Sequence, residues 1–284
     1  IDMKVIRGAD IVPTKSNEQY FINGDVIGLV GKPLLDILNS ADFKVFNLEA
    51  PLTYNKTHIE KSGPVLKANP LVINGLKKLG VNLLTLANNH ILDYSEKGLF
   101  DTINSLDENG IAYIGAGRDY SAAKKTKVFE VEGVRLGFYA CAEHEFSIAT
   151  RKTAGANPFD VIQSYSQIAK LRKNCDFLVV LYHGGKEYYR YPSPKLQRYC
   201  RTFVDSGADL VICQHSHCVG TKEKYKDKEI VYGQGNFIFD EGNDEFWNSA
   251  VLREIKLEKD RKPRIRYIPV VNENSTIRLA QTEE

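Results

Sequence analysis

Five short apolar runs in this sequence each end in residues that can bind a metal ion or move a proton. Asp10 follows the run that begins at Met3, and Glu49 closes Asn47-Leu48-Glu49. Asn88-Asn89-His90, with Asp93 three residues on, follows Val81–Leu86. His183 follows Phe177–Tyr182, and Gln214-His215-Ser216-His217 follows Leu210–Cys213. Four of the six histidines belong to this set. Neutral imidazoles, carboxylates and an amide oxygen form a donor set that suits Mn, Fe or Zn better than Ca or Mg. The expected ligands are Asp10, Glu49, Asn89, His183, His215 and His217, enough for one or two divalent ions if a carboxylate bridges. Such a centre activates water and clamps the oxygens of an in-line phosphoryl displacement. His90, beside a ligand, is the expected catalytic residue, placed to protonate a leaving oxygen. Taken singly, each residue has a plainer reading: a carboxylate after a strand caps a helix, and Asn88-Asn89 makes a turn. Such hits at five strand ends are hard to explain as turns.

Around this set lie residues suited to holding a substrate. Glu143-His144-Glu145 follows a hairpin strand and is expected to line the pocket, with Glu143 and His144 as substrate-binding residues. Lys186 and Arg190 come soon after His183 and are expected to grip an anionic group. Asn236, in Gly233-Gln234-Gly235-Asn236, reads as a turn that can approach the site closely. Other signals are weaker. Asp25 in Asn23-Gly24-Asp25 resembles a metal-binding Gly-Asp pair but follows no strand. The Cys213–Cys218 segment is too compressed for a tetrahedral zinc site. Gly115-x-Gly117 is too short a signal for a phosphate loop, and Lys222–Lys228 reads as solvated surface.

The elements that must position these residues alternate between strand and helix, which predicts an α/β protein. Strands are expected at Met3–Gly8, Phe43–Leu48, Val81–Leu86, Ile111–Ile114, Phe177–Tyr182 and Leu210–Cys213. A hairpin is expected from Lys127–Val131 and Val134–Ala140. Helices are expected at Pro33–Ser40, after Asn69-Pro70 as far as Gly80, at Ser95–Asn109 with Ser95 as cap, at Asp160–Lys173 and at Pro194–Ser206. From about residue 228 the pattern is mostly strand: Glu229–Tyr232, Phe237–Phe239, Ser249–Leu257 and Arg264–Val271. Two packed mixed sheets with helices outside satisfy this order. In open α/β sheets the C-terminal strand ends are where ligands bind.

Composition narrows the function classes. The 284 residues carry 38 Lys plus Arg against 36 Asp plus Glu, a formal net charge of +2. That balance lacks the basic excess of a nucleic-acid binder. No stretch approaches the roughly 18 apolar residues of a membrane span. The single Met is Met3, so the expectation is a native start there, Ile1 and Asp2 being cloning remnants. A single domain over residues 3–284 and a cytoplasmic location follow from that reading. The alternative is a trimmed leader or anchor and an outward-facing protein. The five cysteines, mostly beside apolar runs, read as reduced and buried.

The stretches GADIVPTKSN, ADFKVFNLEAPLT, LLTLANNHILDYSEKGL, GIAYIGAG, VVLYHGGKEYYRYPSP, GADLVICQHSHCVG and IVYGQGNFIFD together resemble the bacterial capsule-synthesis family, the CapA-type proteins of poly-γ-glutamate and polysaccharide capsules. That family is similar to the calcineurin-like metallophosphoesterases. The resemblance implies a four-layer α/β/β/α sandwich with a metal site at the strand ends. It assigns Asp10, Glu49, Asn89, His183, His215 and His217 to the ions and His90 to catalysis. Val12 stands where phosphoesterases usually place a histidine two residues after the first Asp. The implied partners are an anionic polymer or a phosphorylated small molecule, together with capsule-assembly proteins. Two functions compete: a metal-dependent phosphoesterase-like hydrolase of capsule biosynthesis, and a non-hydrolytic accessory protein that binds an anionic polymer.

Overall fold

In the computed structural model, which describes residues 2–258 and 261–281, the first apolar run becomes the strand around which the site is built. Chain order begins β1 (Asp2–Ile11), α1 (Glu18–Asn23), α2 (Val26–Val30), α3 (Lys32–Asn39), β2 (Phe43–Leu48), α4 (Ile73–Lys78), β3 (Leu83–Thr85), α5 (Ser95–Glu108) and β4 (Ala112–Ile114). It continues β5 (Ala116–Gly117), α6 (Tyr120–Ala123), β6 (Lys127–Val131), β7 (Val134–Ala142), β8 (Gly155–Ala156), α7 (Gln163–Arg172), β9 (Phe177–His183), α8 (Pro194–Asp205) and β10 (Leu210–Gln214). It ends β11 (Lys222–Tyr225), β12 (Lys228–Val231), β13 (Asn236–Ile238), β14 (Ser249–Glu258), β15 (Arg264–Glu273) and β16 (Thr276–Leu279).

Two mixed sheets result. One has the order β16-β15-β14-β1-β2-β3-β4, with β13 also pairing β1; the other has the order β11-β12-β10-β9-β7-β6. Their inner faces share one core. Phe43 of the first sheet stacks on Phe138 of the second, with ring centroids 5.7 Å apart. Residues along β9 alternate between that core (Val179, Leu181) and an outer cluster (Leu178, Val180, Tyr182) covered by Ile168 and Leu171 of α7 and Leu196 and Phe203 of α8. A strand buried on both faces reads as an unbroken apolar run, as this one does. On the other side Leu34, Leu38, Leu76, Leu99 and Leu106 of the first helices cover the first sheet. The layers are therefore α/β/β/α, as the resemblance implied.

The strand register aligns the chemistry. β1 pairs antiparallel with β14 as far as Arg7, then slips and pairs parallel with β13 at Asp10↔Asn236. A matching irregularity against β2 sets Asp10 beside Asn47. In the second sheet His183 lies between Ala142 of β7 and Gln214 of β10. Every parallel strand delivers its C-terminal end to the same edge.

Several expected boundaries move for identifiable reasons. The helix expected at Asp160 begins at Gln163, because the Asp160 carboxylate accepts from the backbone N–H groups of Ile162 and Gln163 and so forms the preceding turn. Ser95 does not cap α5: it is the first helical residue, at φ 64°, and Asn55 ties down that end by donating to the Tyr94 carbonyl. Asn69-Pro70 opens a 3₁₀ turn, Pro70–Val72, that leads into α4. Asp25 caps α2 by accepting from the Gly28 N–H and is no ligand. Helices α1 and α2 are too short to show a helical period. The lysine-rich segment at 222–228 is a hairpin on a sheet edge, turning through Lys226 and Asp227 at positive φ. All five cysteines are free and buried. Among the described residues no helix is long and apolar enough to cross a membrane.

Candidate metal centre

Glu49, at the end of β2, is the hub. Its side chain is wholly buried, and Oε1 lies 3.4 Å from His183 Nε2 and 3.7 Å from His217 Nε2. His183 Nε2 is also 3.0 Å from Asn89 Oδ1. Glu49, His215 and His217 each offer a ligand atom within 4.8 Å of the others. Asp10 joins from β1, its Oδ2 lying 3.8 Å from His217 Nδ1. All six expected ligands therefore converge, although they come from five strand ends.

The surrounding hydrogen bonds leave the metal-binding lone pairs free. Asn47 Nδ2 and Gln214 Nε2 donate to Asp10 Oδ1 at 2.6 and 3.0 Å, which leaves Oδ2 unpartnered. His217 Nδ1 faces Asn236 Oδ1 at 3.0 Å, which leaves Nε2 toward Glu49. Asp10 Oδ2, Glu49 Oε1, His183 Nδ1 and His215 Nδ1 are all buried without a hydrogen-bond partner. Orphaned buried polar atoms are costly and rare in folded proteins. Asp10 Oδ2 and Glu49 Oε1 lie 3.8 and 3.7 Å from the ring nitrogens of His217, and two such buried, unpartnered carboxylate oxygens around one imidazole fit a divalent cation. The residues present therefore match the implied metal.

The electrostatics agree. Burial, aided by the charge of Glu49, drives the Asp10 carboxyl well above its usual range. Burial opposes ionisation of Glu49 too, but the imidazoles of His217 and His183 outweigh it and hold that carboxyl below its ordinary value. Burial pushes His183 down to about 4, so its imidazole is neutral and able to ligate. At His215 burial is outweighed by Glu145, which raises the imidazole above its ordinary value.

Beside the ligands lies a hollow of about 900 Å³, lined by His90, His144, Lys186, Tyr188 and Trp247 among others. His90 is held from behind: Nδ1 is 2.6 Å from Asp93 Oδ2, while Lys61 Nζ donates to Asp93 Oδ1 at 2.7 Å. The other four expected substrate residues divide. His144 and Lys186 line the hollow. Glu143 does not; it accepts from Tyr182 Oη at 2.9 Å and from the Gly185 N–H at 3.0 Å, buttressing the loop after β9. Arg190 also lies outside, donating to the Val219 carbonyl at 3.1 Å with its guanidinium over the Phe246 ring. Glu145, in the stretch expected to line the pocket, does line it and lies 3.2 Å from His215 Nε2; sequence reasoning missed Glu187, 3.8 Å from the same nitrogen. It also missed the buried Lys61. All three sit on loops whose path no periodicity reveals.

Residues 10–241 match the family described as bacterial capsule synthesis protein PGA_cap. The chain belongs to this family. Among its PGA_cap relatives, the capsule biosynthesis protein CapA of Bacillus anthracis is 31% identical over 277 residues, covering 88% of this chain and 67% of that protein. The PGA biosynthesis protein CapA of Bacillus subtilis (strain 168) is 31% identical, covering 82% of this chain and 62% of that one. A probable polyglutamine synthesis accessory protein of Mycobacterium tuberculosis (strain H37Rv) is 28% identical, covering 74% and 59%. The chain thus spans roughly three fifths to two thirds of these relatives' length. Among solved structures, a phosphatase from Mycoplasma pneumoniae aligns with a TM-score of 0.57 at 17% identity, over 95% of this chain and 94% of that one. A 5′-nucleotidase from Candida albicans aligns with a TM-score of 0.52 at 13% identity, over 94% and 50%. At these identities the likeness is one of fold, and the PGA_cap chain has the metallophosphoesterase-like sandwich.

Proposed function

We propose that this PGA_cap chain is a metal-dependent phosphoesterase-like hydrolase that acts in capsule or poly-γ-glutamate biosynthesis on a phosphorylated precursor or an anionic polymer. The observation that carries the reading is the convergence of Asp10, Glu49, Asn89, His183, His215 and His217, with the unpartnered Asp10 Oδ2 and Glu49 Oε1 among them. When bound there, one or two Mn, Fe or Zn ions supply Lewis acidity toward a phosphoryl oxygen and lower the pKa of water.

The protein's own groups do the rest. Asp93 holds the proton on His90 Nδ1, which leaves Nε2 as the nitrogen that gives a proton to the leaving oxygen. Lys61, itself buried, pairs with the other oxygen of Asp93. Asp93 thus bridges Lys61 and His90, and that pairing fixes the orientation of the imidazole ring. Lys186, at the wall of the hollow, attracts the anionic substrate.

Purified protein loaded with Mn²⁺ or Zn²⁺ is expected to hydrolyse aryl phosphates or phosphodiesters. The double variant His215→Ala/His217→Ala is expected to lose both metal and activity. An inert metal-loaded protein, together with unchanged metal content in the double variant, overturns the reading.

One observation favours the accessory alternative. Val12 stands where phosphoesterases usually place a histidine, and it is buried against Ala50, Leu66 and Phe239. That apolar packing removes one ligand from the side of the centre nearest Asp10. Binding of poly-γ-glutamate or an acidic glycan by protein without stoichiometric metal is the outcome this second reading requires.

A further inference from the structure

Glu145 stands outside the expected ligand set, on the loop after β7, yet it touches a member of that set. Its Oε1 lies 3.2 Å from His215 Nε2. We propose that Glu145 is the positioning residue of the metal centre, a carboxylate that orients His215 toward the ion.

An imidazole whose Nε2–H donates to a carboxylate presents its Nδ1 lone pair on the opposite side. His215 Nδ1 is the nitrogen that is buried without a partner. Glu145 therefore fixes the tautomer of His215, which the backbone does not. His217 is set differently, its Nδ1 facing Asn236 Oδ1, so the two neighbouring imidazoles ligate through different nitrogens. Glu187 also approaches His215 Nε2, but at 3.8 Å and with a more exposed side chain, and serves as the control.

The inference rests on the metal-centre reading, and the experiment separates the two. Zn²⁺ and Co²⁺ affinities are measured for wild type, Glu145→Ala, Glu145→Gln and Glu187→Ala, with the fold of each variant checked by circular dichroism. Long-range ¹H–¹⁵N spectra of the zinc-loaded protein report which ring nitrogen of His215 is metallated; His215→Ala assigns the ring. The expected result is Nδ1 ligation by His215, a loss of about 10- to 100-fold in affinity for Glu145→Ala, a smaller loss for Glu145→Gln, and Glu187→Ala within about twofold of wild type. Affinity of Glu145→Ala within twofold of wild type overturns this inference alone. So does ligation of His215 through Nε2, or an equal loss in Glu187→Ala. Absence of stoichiometric metal in the wild type overturns the metal centre and this inference together.

Discussion

His215 has a φ of 106° and His217 a φ of 54°, conformations that side chains with a Cβ rarely adopt. Both are expected ligands, and backbone strain of this kind collects where function over-determines geometry. Replacing His215 by glycine is therefore expected to destabilise less than replacing it by alanine, by about 1 kcal/mol. Equal urea midpoints for the two variants would show that the loop is unstrained. At His90 the expectation concerns rate. Asp93→Asn replaces the carboxylate that faces Nδ1 by a neutral amide that can also donate, so kcat is expected to fall about 100-fold or more while metal affinity holds. A parallel loss of metal would place Asp93 in the ligand set instead. The cysteines give an expectation that rests on burial alone. Burial raises the Cys141 and Cys200 thiols well above the ordinary value, so almost no thiolate forms at pH 8 and the sulfurs are shielded. A thiol reagent is expected to modify all five cysteines rapidly in guanidinium and Cys141 and Cys200 very slowly in the native protein. At this scale the candidate ligands were legible in the sequence because they cluster just after apolar runs. Lys61 and Glu187 were not, nor was the contact of Glu145 with His215, because a loop residue's partners depend on where the loop travels.

The strand β1 shows how an element places a ligand. Gly8 lies two residues before Asp10, and a Cβ built on it would collide with the Phe46 ring of the neighbouring β2. That close approach accompanies the irregular register between Arg7 and Asp10, which brings Asp10 level with Asn47 and Asn236. Gly8→Ala is expected to cost about 1–3 kcal/mol by overpacking and to weaken metal binding by displacing Asp10. A lowered denaturant midpoint with unchanged metal affinity would show that the strand end is independent of its packing. Most strands and long helices were legible from apolar runs and stop signals: Phe43–Leu48 carries the same bounds in sequence and structure. Short helices and helix starts were less legible. Asp160 and Ser95 both satisfy the rule for an N-cap, yet one makes the turn before its helix and the other lies within it. The local signal is the same; the packing of the preceding loop decides which bond forms.

Across the whole molecule, the two sheets meet so that the C-terminal ends of β1, β2 and β3 from one face those of β9 and β10 from the other. A metal bound between them ties the halves together, and linkage requires that it stabilise the fold. At a free concentration one hundred times Kd, a single ion adds about 2.7 kcal/mol. Chelation by EDTA is accordingly expected to lower the melting temperature by several degrees in wild type and to leave His215→Ala/His217→Ala unmoved. No response in either would mean that the centre holds no ion. The amino-acid sequence by itself determined the α/β class, the family and the six converging donors, because apolar periodicity and the residue types at strand ends are local properties. Only the tertiary structure decided that Glu143 buttresses a loop, that Arg190 lies outside the hollow and that Glu145 reaches His215. Those outcomes depend on the relative position of segments far apart in the chain, set by sheet register and loop path, and no short window of residues encodes either.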